Sequence, residues 1–380
     1  MRNMPLNLPK ISRLIFEATG NEIWQCFGGE NTLHNIQFVS INPFVIESNG
    51  INYLLTSDKD DNNVGAHDYV LFTSKRPTRN DVNANRVNIK RWLKNPAFAT
   101  VTPDQVVASW KDKFNFIKEN EEANVKGLRP PQMGALHSIL AHIQNPEDKA
   151  IVVMPTGTGK TETMLSALIA NQCKKLLVSV PSDSLRTQIA NKFITLGLLK
   201  EFGIVNTGCM NPIVGVLNSG FQNTQELQEF ISKCNVVVST MDILTNCSAA
   251  ERIILKDVFS HFFVDEAHHS EARTWKELIE RFDKEKVFLF TATPFRNDGK
   301  SLQGKVIFNF SLRKAQEQKY YKEINYLPIR EYNKKLADEN IADKAAAQLK
   351  ADIAAGYNHI LMARCMSVYS VDVDPPFRPC

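Results

Sequence analysis

The chain holds no Cys-x-x-Cys pair. Its seven cysteines, Cys26, Cys173, Cys209, Cys234, Cys247, Cys365 and Cys380, are scattered along 380 residues. That spacing excludes a zinc ribbon and a disulfide framework and fits a reduced, cytoplasmic setting. No apolar run approaches the roughly 18 residues that a membrane span needs. Residues 1–20 lack the basic head, apolar middle and small-residue cleavage site of a signal peptide. There is no internal repeat and no low-complexity segment. Excess charge is also scarce: 45 Lys and Arg against 41 Asp and Glu leave +4. Such a balance permits an anionic partner without arguing for one.

What is present is globular. Apolar residues make up 43% and charged residues 23%, and the length suits two or three domains. Residues 1–120 carry short, β-branched apolar runs broken by Asn, Asp and Gly, at 36–41, 44–46, 53–56 and 69–72. These read as strands, with a turn at Asn49-Gly50. Residues 85–93 and 103–116 read as helices, so this is a small α+β N-terminal domain. A charged stretch at 118–127 reads as a linker.

From Leu128 the texture changes. Buried-strand runs at 150–153, 176–180, 214–217, 236–239, 262–264 and 287–290 alternate with helical stripes. One stripe is Met164, Leu165, Leu168 and Ile169; another is Trp275, Leu278, Ile279 and Phe282. Alternation of this kind marks βαβ units around a parallel sheet, an α/β class. A second linker is expected at 333–340. Residues 341–365 then hold a helical stripe (Ala345, Leu349, Ile353), a stop at Gly356 and a short strand at 359–363, and 366–380 is an irregular tail.

Met154-Pro155-Thr156-Gly157-Thr158-Gly159-Lys160-Thr161 lies between a buried strand and an amphipathic helix, the setting of a phosphate-binding loop. The loop residues Thr156, Gly157, Thr158 and Gly159 let backbone N–H groups turn inward, and the following helix points its positive end at the anion. Lys160 adds charge at the β- and γ-phosphates, and Thr161 offers a hydroxyl to Mg²⁺. Met154 stands where the general pattern has Gly. A glycine turn with a solvated lysine is the plainer alternative. Asp265-Glu266-Ala267-His268 ends another buried strand, where doubly wound sheets bind ligands. Asp265 would hold Mg²⁺ and Glu266 would deprotonate a water. A helix N-cap with Glu in its first turn would use the same two residues.

The order of these runs, with Val180-Pro181-Ser182-Asp183-Ser184-Leu185-Arg186 and Ser239-Thr240 between them and Thr291-Ala292-Thr293-Pro294 after them, resembles the first motor lobe of superfamily 2 DEAD/DEAH-box helicases. It is most similar to the motor subunits of type I and type III restriction enzymes. The resemblance covers 128–332 and implies a RecA-like P-loop lobe using ATP and Mg²⁺. It implies that Gln132 reads the adenine edge, although Arg129-Pro130-Pro131-Gln132 could equally be a turn leading into the domain. It implies that Pro181, Ser182, Arg186, Ser239 and Thr240 touch a nucleic-acid backbone, the other use of such residues being helix capping. His268, Thr291 and Thr293 would couple nucleotide state to the nucleic-acid path; otherwise His268 is structural and the threonines a strand end.

The partner implied is double-stranded DNA, with no membrane. No Gln-x-x-Gly-Arg-x-x-Arg run follows Pro294, so residues 341–365 are expected to open an incomplete second lobe. Another chain would supply that lobe, or nuclease and methylation functions. The alternatives to a DNA-directed ATP-driven motor are a non-motor nucleotide- or DNA-binding regulator, or a truncated product without turnover. The acidic cluster Asp58, Asp60, Asp61 and the pair His67-Asp68 lack nuclease spacing and read as a solvated loop.

Overall fold

The computed structural model describes residues 5–269, 273–293, 302–321 and 328–358. Met1–Tyr320 make one compact unit and Tyr321–Cys380 a second. The expected strand at 359–363, Pro294 and the 366–380 tail lie outside the described residues.

The first unit begins with β1 (Leu6–Leu8), β2 (Ile11–Ala18), β3 (Asn21–Gly28) and β4 (Asn31–Leu33). β5 (Gln37–Ile41), β6 (Phe44–Ser48), β7 (Ile51–Thr56), β8 (Tyr69–Thr73) and β9 (Ile89–Lys94) form a five-stranded sheet in that order. Asn49 and Gly50 turn between β6 and β7 with φ of 53° and 79°, a left-handed pair that matches the twist of the flanking strands. Tyr53, Tyr69 and Trp92 pack on one face of this sheet. Two short helices, α1 (Arg79–Asn83) between β8 and β9 and α2 (Pro103–Ala108) after β9, are each closed at the start by a threonine capping box.

The larger sheet is built by strand–helix alternation. Its elements are α3 (Pro130–Gln144), β10 (Ala150–Val153), α4 (Lys160–Ala170), β11 (Leu176–Val180), α5 (Asp183–Thr195), β12 (Val214–Val216), α6 (Thr224–Ser232) and β13 (Val236–Thr240). They continue as α7 (Met241–Asn246), α8 (Ala249–Val258), β14 (His261–Val264), α9 (Arg273–Ile279), β15 (Val287–Thr291), β16 (Lys305–Asn309) and α10 (Leu312–Glu317). The strand order is β16-β10-β15-β14-β11-β13-β12-β3-β2. The seven strands from β16 to β12 are parallel, and β3 and β2 close the far side antiparallel. β10, β11, β13 and β15 are buried along their whole length, which is why they read as unbroken apolar runs rather than alternating ones. This is a RecA-like lobe with an added N-terminal sheet.

Four local readings change. Residues 85–93 were expected to be helical, but Asn85 adopts φ 50° and breaks the helix. Residues 89–94 instead pair with β8 and bury Trp92. The helix expected over 103–116 ends at Ala108, and Asp112 turns left-handed at φ 57°. The linker at 118–127 is a tied turn, with Asn120 bridging Val125 and Lys118 bridging Leu128. The linker at 333–340 is helix: α11 (Lys334–Ala354) spans it, and Gly356 follows at φ 83°. In the first unit, the β2–β3 hairpin lies in the same sheet as the lobe, so that sheet runs across the boundary drawn at residue 120.

Among the described residues no helix is long and apolar enough to cross a membrane.

Candidate functional site

Parallel strands end on one edge, and this chain places its motif residues there. The phosphate loop follows β10, residues 181–186 follow β11, and Ser239-Thr240 end β13. Residues 265–268 follow β14 and Thr291 ends β15. The edge is pinned by backbone bonds between neighbours: Asp265 N–H donates to Ser179 O at 2.9 Å, and Met154 N–H to Thr291 O at 2.9 Å.

Gly157 and Gly159 sit at φ 81° and 96°, which lets the loop wrap. Thr158 is buried, its Oγ1 donating to Pro155 O at 2.6 Å, and Thr156 is exposed at the loop surface. Lys160 opens α4 and is only 8% exposed. Its Nζ lies 2.5 Å from Glu266 Oε1, so the lysine and carboxylate singled out from the sequence meet directly. Glu266 holds φ 49°, a left-handed setting that is uncommon for glutamate. Its N–H donates to Asp265 Oδ1 at 3.0 Å. Asp265 is buried, and burial pushes its carboxyl up to about 6 despite the nearby Lys160 ammonium. Thr161 and Asp265 line the same cleft of about 450 Å³. A hydroxyl and a carboxylate are hard oxygen donors, which fit Mg²⁺. That ion is commonly held by one or two carboxylates with substrate phosphates.

His268 Nδ1 is 3.4 Å from Glu266 Oε2 and 3.3 Å from Thr291 Oγ1. Thr291 Oγ1 in turn donates to Thr293 O at 2.8 Å and accepts from Thr293 N–H. The three residues expected to couple therefore form one chain of contacts reaching Glu266.

Gln132 lies against the phosphate loop, and a Cβ built on Gly159 would stand 1.9 Å from Gln132 Nε2. Gln132 Oε1 accepts from Arg129 N–H at 2.8 Å, so its carbonyl also caps α3. Arg129 reaches Gly157 O at 3.3 Å. The sequence offers Arg129 only as part of a turn into the domain. Lys192 carried no signal at all, because its partner Glu162 (2.6 Å) is distant in the chain. Both line the cleft.

The residues expected on nucleic acid are less accessible. Ser182 is exposed and caps α5 through Leu185 N–H, and Pro181 is half-buried. Arg186 is 7% exposed, with its guanidinium 2.7 Å from Asp183 Oδ1. Its fork is not offered to a phosphate in this conformation. Ser239 and Thr240 are buried because β13 is an interior strand.

In the N-terminal sheet, Asp61 accepts from Asn63 N–H and Asn63 Nδ2. These bonds hold its carboxyl below the usual range. Among the described residues no three His, Cys, Asp or Glu side chains form a metal group.

A phosphate loop and an Asp-Glu-Ala-His run, two strands apart on one edge of a RecA-like sheet, define a motor lobe of the superfamily 2 helicase kind. Residues 125–296 match the family model described as type III restriction enzyme, res subunit. No curated protein matches the chain. Among solved structures, the Hef helicase domain of Pyrococcus furiosus is 26% identical over 42% of this chain and 33% of its own, with a TM-score of 0.31. A nuclease-deletion mutant of the type ISP restriction-modification enzyme LlaGI, in complex with a DNA substrate mimic, is 19% identical over 60% of this chain and 23% of its own, TM-score 0.38. The type ISP enzyme LlaBIII bound to DNA is 17% identical over 75% and 22%, TM-score 0.38. This chain thus spans a third or less of those solved chains.

Proposed function

We propose that the lobe hydrolyses MgATP and that, in a complete motor, hydrolysis moves it along double-stranded DNA as a helicase or translocase. The observation that carries this reading is the convergence of Lys160, Thr161, Asp265 and Glu266 in one cleft, with Lys160 Nζ 2.5 Å from Glu266 Oε1. Thr161 and Asp265 would hold Mg²⁺, which would neutralise charge on the phosphates. The triphosphate competes for the Lys160 ammonium and draws it from Glu266. The freed carboxylate then takes the proton of an attacking water, as a positioned general base does. Gln132, pressed on Gly159, orders the base side of the cleft. The His268–Thr291–Thr293 chain reports the state of Glu266 along the sheet edge. Arginines that stabilise the transferring phosphoryl group in such motors are worth ~10³–10⁵ in rate. We assign them to a second lobe, which another chain could contribute. We place the protein in the cytoplasm.

The test is nucleotide binding and turnover with and without DNA. Lys160→Ala is expected to weaken MgATP roughly tenfold to a hundredfold, the scale of a lost charged hydrogen bond. Glu266→Gln is expected to keep binding and to lower any turnover by ~10²–10⁴. Unchanged turnover in Glu266→Gln would move the base elsewhere.

A further inference from the structure

A second cavity, of about 350 Å³, lies between the β2–β3 hairpin, β9 and α5. Three cations line it: Lys10, Lys90 and Arg91. None of them has an ion-pair partner among the described residues, although ion pairs are common elsewhere on the surface. Arg91 rests over the Phe72 ring at 5.8 Å, which fixes its stem and leaves its charge without an ion-pair partner among the described residues. The cavity's one carboxylate, Glu22, accepts from Trp24 Nε1 at 2.7 Å. The opposite wall is polar: Thr187, Asn191 and Thr195 recur every four residues along α5 and present one face to the groove.

The groove also joins the motif edge. α5 starts at Ser182, beside the residues expected to meet nucleic acid, and its length leads to the cavity. The hairpin tip is held at that same edge: Asn218 Nδ2 donates to Gly20 O at 2.7 Å, and Ser219 Oγ to Thr19 O. Asn218 lines the groove. We propose that this groove is a binding site for a single strand of nucleic acid. Its phosphates would meet Lys10, Lys90 and Arg91, and one base would pack against the half-buried indole of Trp24. Unmatched cations with an aromatic platform are the recurring chemistry of single-strand binding. A pocket of this size is too small for a duplex. The site rests on the motor reading and extends it, because it enlists the N-terminal hairpin, which no motif assigns to nucleic acid.

The experiment uses the full chain and a fluorescein-labelled 20-mer oligothymidylate, with binding read by anisotropy over a salt series. Lys10→Glu with Lys90→Glu alters two exposed side chains, and a melting curve checks the fold. Each phosphate contact on a single strand contributes about 0.7 to the salt slope. Losing two should flatten the slope by about 1.4. With affinities equal at 1 M salt, that is about 25-fold weaker binding at 0.1 M. Should the pair of substitutions misfold, protection of 10–26 and 187–195 from hydrogen exchange on adding oligothymidylate to the parent decides the matter. Equal slopes in a folded variant, or no protection of those segments, overturns the groove. If the oligothymidylate still stimulates ATP turnover in that case, the motor reading stands. A parent that binds no oligothymidylate at all likewise overturns the groove, whereas the motor reading falls only if ATP turnover is also unmoved by double-stranded DNA.

Discussion

β14 carries the Asp265 and Glu266 carboxylates past its C-terminal end and a histidine at its start, and the histidine predicts how the lobe responds to acid. His261 Nε2 is 3.1 Å from Asn171 Nδ2, and its Nδ1 is 3.0 Å from Ser260 Oγ. Its ring packs near Phe263 and Phe288. Burial, with a smaller push from Lys286, takes the imidazole down from 6.5 to about 4. A protonated ring has no lone pair with which to accept the Asn171 amide. As pH falls below 6.5 the unfolded chain takes up this proton and the folded chain does not, so stability is lost until about pH 4. At pH 5 the difference in proton binding amounts to about 2 kcal/mol. Asp265 acts in the opposite sense. Its carboxyl is raised to about 6, so the folded state gains a proton first and recovers stability as pH falls through that value. The quantity to read is therefore the difference between parent and His261→Gln. Urea unfolding at pH 7 and pH 5 should show the parent losing about 2 kcal/mol more than the variant. Equal losses in the two proteins would refute the claim that the folded lobe keeps this ring neutral.

Two further outcomes bear on packing and on the cleft. Phe230 is fully buried, with Phe16 of the hairpin 6.0 Å away and Phe221 5.5 Å away between ring centroids. Phe230→Ala should lower unfolding stability by about 3–5 kcal/mol, seen as a reduced urea midpoint with an unchanged slope. Gly159→Ala should weaken nucleotide binding in calorimetry, because a φ of 96° strains any L side chain and the new methyl group would push Gln132 Nε2, 1.9 Å away, out of its place. Parental affinity in that variant would show that the loop binds nucleotide in another shape.

The parallel sheet was legible because buried strands write themselves as continuous apolar runs, and 150–153, 176–180 and 287–290 carry no competing period. Motif order then placed five segments on one edge, since parallel strands share an end. The hairpin's place in that sheet was not legible. Nothing local in β3 says that Trp24 will pair with Val214, a contact between residues far apart in the chain. β9 departs from the expected helix because the left-handed turn at Asn85 and the pairing with β8 outweigh a short amphipathic pattern. Within the site, motif order put Lys160 and Glu266 on one sheet edge, but their direct contact was not part of that expectation. Nor could motif order foretell that Arg186 would fold back on Asp183, or that Lys192 would enter the cleft. Side-chain direction depends on which neighbours tertiary packing delivers.

The contact between Gln132 and Gly159 bears on how this lobe can vary. One amide caps α3 through its oxygen and fills, with its nitrogen, the space that any side chain at Gly159 would need. A larger residue at position 159 requires the Gln132 side chain to swing aside or be shorter, and the loop's left-handed backbone still opposes it. A shorter residue at 132 alone uncaps α3 and leaves a void against the loop. The two positions are therefore coupled: a substitution at one changes what the other can hold, so variants of the loop at 159 are best built together with changes at 132.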